Sequence, residues 1–193
     1  MSALQTRVPA GAMPTSTGPQ ARSGRGSITV IAHGTPAGQG RISFRGRGRG
    51  AYHSNEKQLL PWRQAIIDAA LAATGRHVAV DPYDRGECAL CRIPVKVHAL
   101  LVGVPVAADI TITVEKPKSA PKTRRTYPIT RSSTDIDHHA RACLDAISQS
   151  GIIHDDSQVV DLTIRKVYPG EHDLALTFPG AVIKVRQIGG GAR

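Results

Sequence analysis

The chain is short of aromatic residues, which make up 4% of its 193 positions, so a core would have to be built mainly from aliphatic side chains. It has three cysteines, Cys88, Cys91 and Cys143. That number is too small and too odd for a disulfide framework, and it suits a reducing cytoplasm. No apolar run approaches the roughly 20 residues needed to cross a bilayer. Residues 1–26 hold no apolar stretch of the kind a secretory signal requires. Acids are missing from two long stretches, everything before Glu56 and everything between Lys116 and Thr134. What remains is strongly basic, with a formal net charge of +10 and an isoelectric point near 10.1. Such a balance calls for a polyanionic partner, and with no membrane signal in the chain, nucleic acid is the expected one.

A hydrophobic fraction of 40% is enough for one core, and the length fits one domain with extensions. Residues 1–26, rich in Ser, Thr, Gly, Pro and Ala, are expected to be a disordered tail. A folded domain is expected over 27–189, and a flexible end over 190–193. Ile28–Ala32 reads as a strand, Gly34–Gly40 as a loop, and Arg41–Tyr52 as a ragged hairpin or mobile loop. Leu59, Trp62, Ile66, Ala69, Ala70 and Ala73 recur at helical spacing up to Thr74-Gly75, with Pro61 expected in the first turn. Asp81–Arg92 reads as an irregular excursion. Strands are expected at Val95–Val102 and Ile110–Val114, around a Gly103–Pro105 break, and again at Val159–Val167 and Ala181–Ile188. A second helix is expected from Asp135 to Gln149. Its apolar stripe would be Ile136, Ala140, Cys143, Leu144 and Ile147, its N-terminus a Thr134/Asp137 capping box, and its C-terminus closed by a left-handed Gly151. The fold class that follows is α/β in the broad sense, an α+β sandwich with one mixed β-sheet and two helices packed on it.

Against this basic background stand two acidic motifs, Asp135-Ile-Asp137 at the start of the second helix and Asp155-Asp156 just after its end. Carboxylates next to a bound polyanion are tolerable when cations lie between them. Asp135 and Asp137 sit two apart in an extended lead-in, so both can reach one point, and Asp156 could be a third hard oxygen ligand for Mg²⁺. Spacing alone favours the plainer reading, in which Asp137 caps the helix and Asp155-Asp156 starts a turn.

The run Asp135-Ile-Asp137-His-His-Ala-Arg141-Ala-Cys-Leu144-Asp145-Ala146-Ile147, followed by Gly151-Ile-Ile-His-Asp155-Asp156-Ser-Gln158-Val159-Val160 and Arg165-Lys166, resembles the RusA family of Holliday-junction resolvases. The likeness runs without a gap over about 134–166. Ile28–Ala32, the Gly/Pro-rich loop and the Trp62 helix resemble the family's N-terminal half more loosely. The resemblance implies an endodeoxyribonuclease of the phage or prophage type. It would cut four-way DNA junctions in recombination and repair, as a homodimer with Mg²⁺ (or Mn²⁺ in its place) as cofactor. It also implies metal binding and catalysis at Asp135, Asp137 and Asp156, a basic catalytic residue at Arg141 and a strand lysine at Lys166. His138 stands where the family usually has Asn, Arg141 where it has Lys, and His139 where it has an apolar residue. Arginine keeps the charge but offers a planar fork in place of a point.

Two basic blocks frame these acids. The first contains Arg45, Arg47 and Arg49; the second contains Lys118, Lys122, Arg124, Arg125 and Arg131 and leads directly into Asp135. Together with Lys166 they are the expected DNA contacts, reading shape and backbone more than bases. Cys88 and Cys91 have zinc-knuckle spacing but no second ligand pair nearby. His53, His77 or His98 would have to complete a site, and Cys143 falls on the helix's apolar stripe.

Overall fold

The computed structural model describes residues 27–40, 42–44, 51–75, 100–121 and 123–189. The expected tail (1–26), C-terminal end (190–193) and excursion with Cys88 and Cys91 lie outside the described residues. So do Arg45, Arg47, Arg49 and Lys122.

Strands β1 (Ser27–His33), β4 (Val106–Thr113), β5 (Val159–Val167) and β6 (Gly180–Gln187) form one mixed sheet in the order β1-β6-β4-β5. β6 runs antiparallel to both β1 and β4, whereas β5 runs parallel to β4. Two short strands, β2 (Ile42–Phe44) and β3 (Ala51–His53), pair antiparallel as a separate hairpin. Helices α1 (Glu56–Thr74) and α2 (Ile136–Gln149) complete the α+β fold expected from the sequence.

β4 is an interior strand, flanked by β6 and β5, and is buried on both faces. Ile110 and Ile112 meet the aliphatic core with Val30, Ile66, Ile147 and Ile183. Thr111 and Thr113, also buried, spend their hydroxyls on Arg165 (2.9 Å) and on the Leu176 amide (2.9 Å). A buried hydroxyl without such a partner would cost more than it contributes. This strand begins four residues earlier than expected because Val106–Asp109 pair on both sides despite the preceding Gly-Val-Pro break.

Three helix expectations are corrected. α1 starts at Glu56, so Pro61 falls in its second turn, where it removes the helical donor of the Lys57 carbonyl. Asn55, the residue before the helix, makes no side-chain cap. Its side-chain oxygen instead accepts from the Gly40 amide (2.9 Å) and its amide donates to the Gly38 carbonyl (2.5 Å). In α2 the buried stripe is turned relative to expectation: His139, Ala142 and Ala146 are inside, whereas Ile136 is 42% exposed. The anticipated capping box is also absent. Thr134 adopts a left-handed conformation (φ 58°), and Asp135, as the residue before the helix, makes no side-chain cap. Gly151 (φ 75°) does close the other end as expected.

β4, the following loop, α2 and β5 form a strand–helix–strand crossover. Parallel strands require a connection of this kind, and the helix must run back against them. The N-terminus of α2 therefore lies at the C-terminal ends of β4 and β5. The Asp155-Asp156 turn lies at the opposite end of the sheet. Among the described residues no helix is long and apolar enough to cross a membrane.

Candidate active site

Lys166, near the end of β5, organises the lead-in to α2. Its ammonium donates to the Ser133 hydroxyl (2.9 Å), the Thr134 carbonyl (2.5 Å) and, more weakly, the Ser133 carbonyl (3.3 Å). Three acceptors gathered by one cation hold the unusual Thr134 backbone in place and deliver Asp135 to the strand ends. Partial burial lowers the Lys166 pKa, opposed by the nearby Asp135 carboxylate. Lys166 thus faces inward, toward the segment that carries Asp135.

His139, 1% exposed, reaches the same Ser133 carbonyl through Nε2 at 2.9 Å. Burial is the main cause of its lowered pKa, so it is a neutral packing residue at the apolar position the family pattern would give it. The Gly34–Gly40 loop closes over the other side. The Gln39 amide donates to the His138 carbonyl (2.9 Å). A Cβ on Gly38 would lie 2.4 Å from Thr134 Cγ2 and 2.8 Å from His138 Cβ, so only glycine permits this approach. Sequence reading missed this strap, although three glycines in seven residues were its signal.

The carboxylates themselves are open to solvent. Asp135 and Asp137 are both exposed. Asp137 lies 3.8 Å from His138 Nε2, and among the described residues no ion pair joins it to Arg141, which is exposed on the helix surface. Asp155 and Asp156 divide the labour of their turn. The Asp155 carboxylate accepts from the Ser157 amide (2.9 Å), while the Gln158 side-chain oxygen accepts from the amides of His154 (2.8 Å) and Asp155 (3.2 Å). Gln158 also donates to the carbonyls of Leu101 (2.8 Å) and Val104 (2.9 Å), tying the turn to the segment before β4. Asp156, the first residue of the turn, is exposed.

The chain brings Asp135 close to Lys166, with Asp137 two residues further into α2, and keeps Asp156 away from both. α2 alone, with 14 residues, separates the two acidic motifs by about 21 Å at 1.5 Å per residue. Among the described residues no group of three or more His, Cys, Asp or Glu side chains is arranged to hold a metal ion.

The basic loop after β4 is anchored, not loose. Glu171, in the β5–β6 connection, accepts from Lys116 Nζ (2.6 Å) and from the Thr126 amide (3.1 Å), and Lys116 lies 5.9 Å from the Tyr168 ring centre. The Lys116 hydrogen bond is the main cause that holds the Glu171 carboxyl below its ordinary range. Lys118, Arg124 and Arg125 are exposed, Arg125 lying over the Tyr127 ring at 5.2 Å. Arg131 opens the short 3-10 turn Arg131–Ser133 that leads to Asp135. Cys143 is fully buried in α2, its thiol pushed up to about 12 by burial, which makes it a core residue.

The domain is thus an α+β fold with an acidic helix start at the carboxyl ends of two parallel strands, reached by an exposed basic loop. Residues 93–177 match the family model of the endodeoxyribonuclease RusA. The likeness read over 134–166 is thereby borne out, and the enzyme class that the match assigns is endodeoxyribonuclease. The curated proteins contain no match to the chain.

Proposed function

We propose that this protein is a divalent-metal-dependent, structure-selective endonuclease that resolves four-way DNA junctions as a homodimer, in recombination or repair. The observation that carries the proposal is the Lys166-clamped lead-in. It sets two exposed carboxylates, neither spent on capping, beside an exposed basic loop within the segment that matches RusA.

Exposed aspartate oxygens are the donor chemistry that Mg²⁺ or Mn²⁺ prefers. Asp135 and Asp137 would hold it, with Asp156 as the third carboxylate. When bound, the metal would supply charge neutralisation at the scissile phosphate and lower the pKa of water.

Because one chain keeps Asp156 far from the other two, the third carboxylate is best supplied by a second copy. β5 is an edge strand, and it exposes Val160 (65%) and Leu162 (41%). Two such edges running antiparallel about a two-fold axis set the start of one β5 against the end of the other. The partner's Asp156 then approaches Asp135 and Lys166. A two-fold pair also provides the paired cuts that a junction needs.

In this arrangement Arg141, one turn beyond Asp137, reaches a non-bridging oxygen of the scissile phosphate. Lys118, Arg124 and Arg125 hold flanking phosphates, joined by Lys122, Arg131 and the Arg45, Arg47 and Arg49 block. Lys166 acts through Asp135 as a positioning residue. Cleavage would leave 5′-phosphate and 3′-hydroxyl ends.

The test is a labelled synthetic four-way junction incubated with Mg²⁺. Wild-type protein is expected to cut paired strands, to stop cutting in chelator and to keep binding there. Asp137→Asn should lower cleavage by on the order of a hundredfold or more, the scale on which loss of one group that stabilises transition-state charge falls. Equal cleavage by both proteins would remove Asp137 from the site. Junction binding without cleavage by wild type would make the protein a DNA-binding module.

A further inference from the structure

Beside the Asp135 lead-in lies a groove of about 690 Å³, formed between the Gly34–Gly40 loop, the first two turns of α1 and the Ser132–Thr134 segment. Its volume falls in the range of sites that hold small organic groups, roughly 300–1,000 Å³. Although it adjoins the acidic end of α2, none of its lining residues is acidic. Lys57 and Gln58, both exposed, stand on the α1 side, with Thr35 and Thr134 across from them.

The walls mix polar and apolar character in a way that suits a nucleotide. Pro36, Pro61 and Trp62 provide apolar lining. Gly34 (φ 149°) packs beside Trp62, where a Cβ would lie 3.6 Å from the ring. Pro61 denies the Lys57 carbonyl its helical donor, leaving an acceptor on a residue that lines the groove. The groove is also fixed in position. Asn55 holds Gly38 and Gly40, and Gly38 packs on Thr134 and His138, so this wall and the Asp135 lead-in form one unit.

We infer that this groove is a nucleotide subsite: it receives one unstacked nucleotide of the cut DNA strand, next to the scissile phosphate, with Lys57 on that nucleotide's phosphate. The inference rests on the nuclease reading for the identity of the strand. Continuity argues for this occupant, because Thr134 lines the groove and its neighbour Asp135 carries the first carboxylate. The residues involved, apart from Ser132 and Thr134, lie outside the matched segment 93–177.

The experiment uses the full chain and four-way junctions carrying 2-aminopurine at successive positions on either side of the branch point, with Ca²⁺ in place of Mg²⁺. Wild-type protein should raise the fluorescence at one position, where the base leaves its stack. Lys57→Glu should weaken junction binding about tenfold, on the scale of losing and reversing one phosphate contact. Thr35→Trp, which fills the groove from an exposed loop position, should abolish the fluorescence rise. It should also slow cleavage in Mg²⁺ at least tenfold while leaving affinity for linear duplex unchanged. Circular dichroism confirms that both variants are folded. Wild-type fluorescence, affinity and cleavage in both variants would overturn the subsite. A wild-type protein that shows the rise but never cuts would refute the nuclease reading and leave the groove standing.

Discussion

The two adjacent aspartates after α2 differ in their hydrogen bonds. The Asp155 carboxylate is committed to the Ser157 amide within a capping box closed by Gln158. Asp156, next to it, is exposed. Asp155→Ala should therefore cost about 1 kcal/mol of stability, as loss of a cap does, with cleavage close to wild type. Asp156→Asn should leave the melting temperature within a degree or two (about 0.5 kcal/mol or less for an exposed change) and abolish cleavage. Thermal unfolding alongside a junction-cleavage assay separates the two, and the reverse pattern would move the ligand role to Asp155. The sequence already favoured Asp156, but only through family likeness. That the Asp155 carboxylate is used in a turn and Asp156 is exposed was not legible without the folded chain. At Lys166 the likeness was less informative, because a strand lysine in a basic protein reads as a DNA contact. Its three acceptors in Ser133 and Thr134 lie more than 30 positions away in sequence, beyond the reach of any local pattern.

Elements were legible where apolar residues recur at a fixed period. β5 has the bounds that its alternation implied, and α1 and α2 lie where their apolar spacing placed them. Errors arose where tertiary contacts override local rules. Thr134, expected to cap α2, is instead left-handed and held by Lys166. The basic loop shows the same override. The stretch from Lys116 to Ser133 shows in sequence only its basic charge and three prolines, and nothing local points to Glu171 as its fastening. Because the folded Glu171 pKa is depressed, its contribution to the loop is present above the ordinary carboxyl value of 4.5 and is lost as pH falls through the lower folded value. Hydrogen-exchange protection of the Thr126 amide should therefore decline on acidification below about pH 4.5. Glu171→Gln should reduce that protection at neutral pH and flatten its pH dependence. Unchanged protection in the variant would mean that the loop is held by something else.

At the scale of the whole molecule, the crossover topology decides what one chain can and cannot assemble. A helix that returns antiparallel to β4 and β5 must separate the motif at its start from the motif after its end. The sequence could show that these acids form one signature, but not that a single fold would hold them apart. The proposed dimer reconciles the two by drawing Asp135 and Asp137 from one copy and Asp156 from the other. The most direct measurement is complementation between two inactive variants. Asp137→Asn and Asp156→Asn proteins, each unable to cut alone, are mixed under conditions that exchange subunits and assayed on a four-way junction with Mg²⁺. Each mixed dimer would contain one site with all three wild-type carboxylates, and random exchange makes up to about half of all dimers mixed, so single-strand nicking should reappear to that extent, without paired resolution. If each chain built its own site, every site in the mixture would lack one carboxylate. The mixture would then stay as inactive as its parts, and the shared-site account would be wrong.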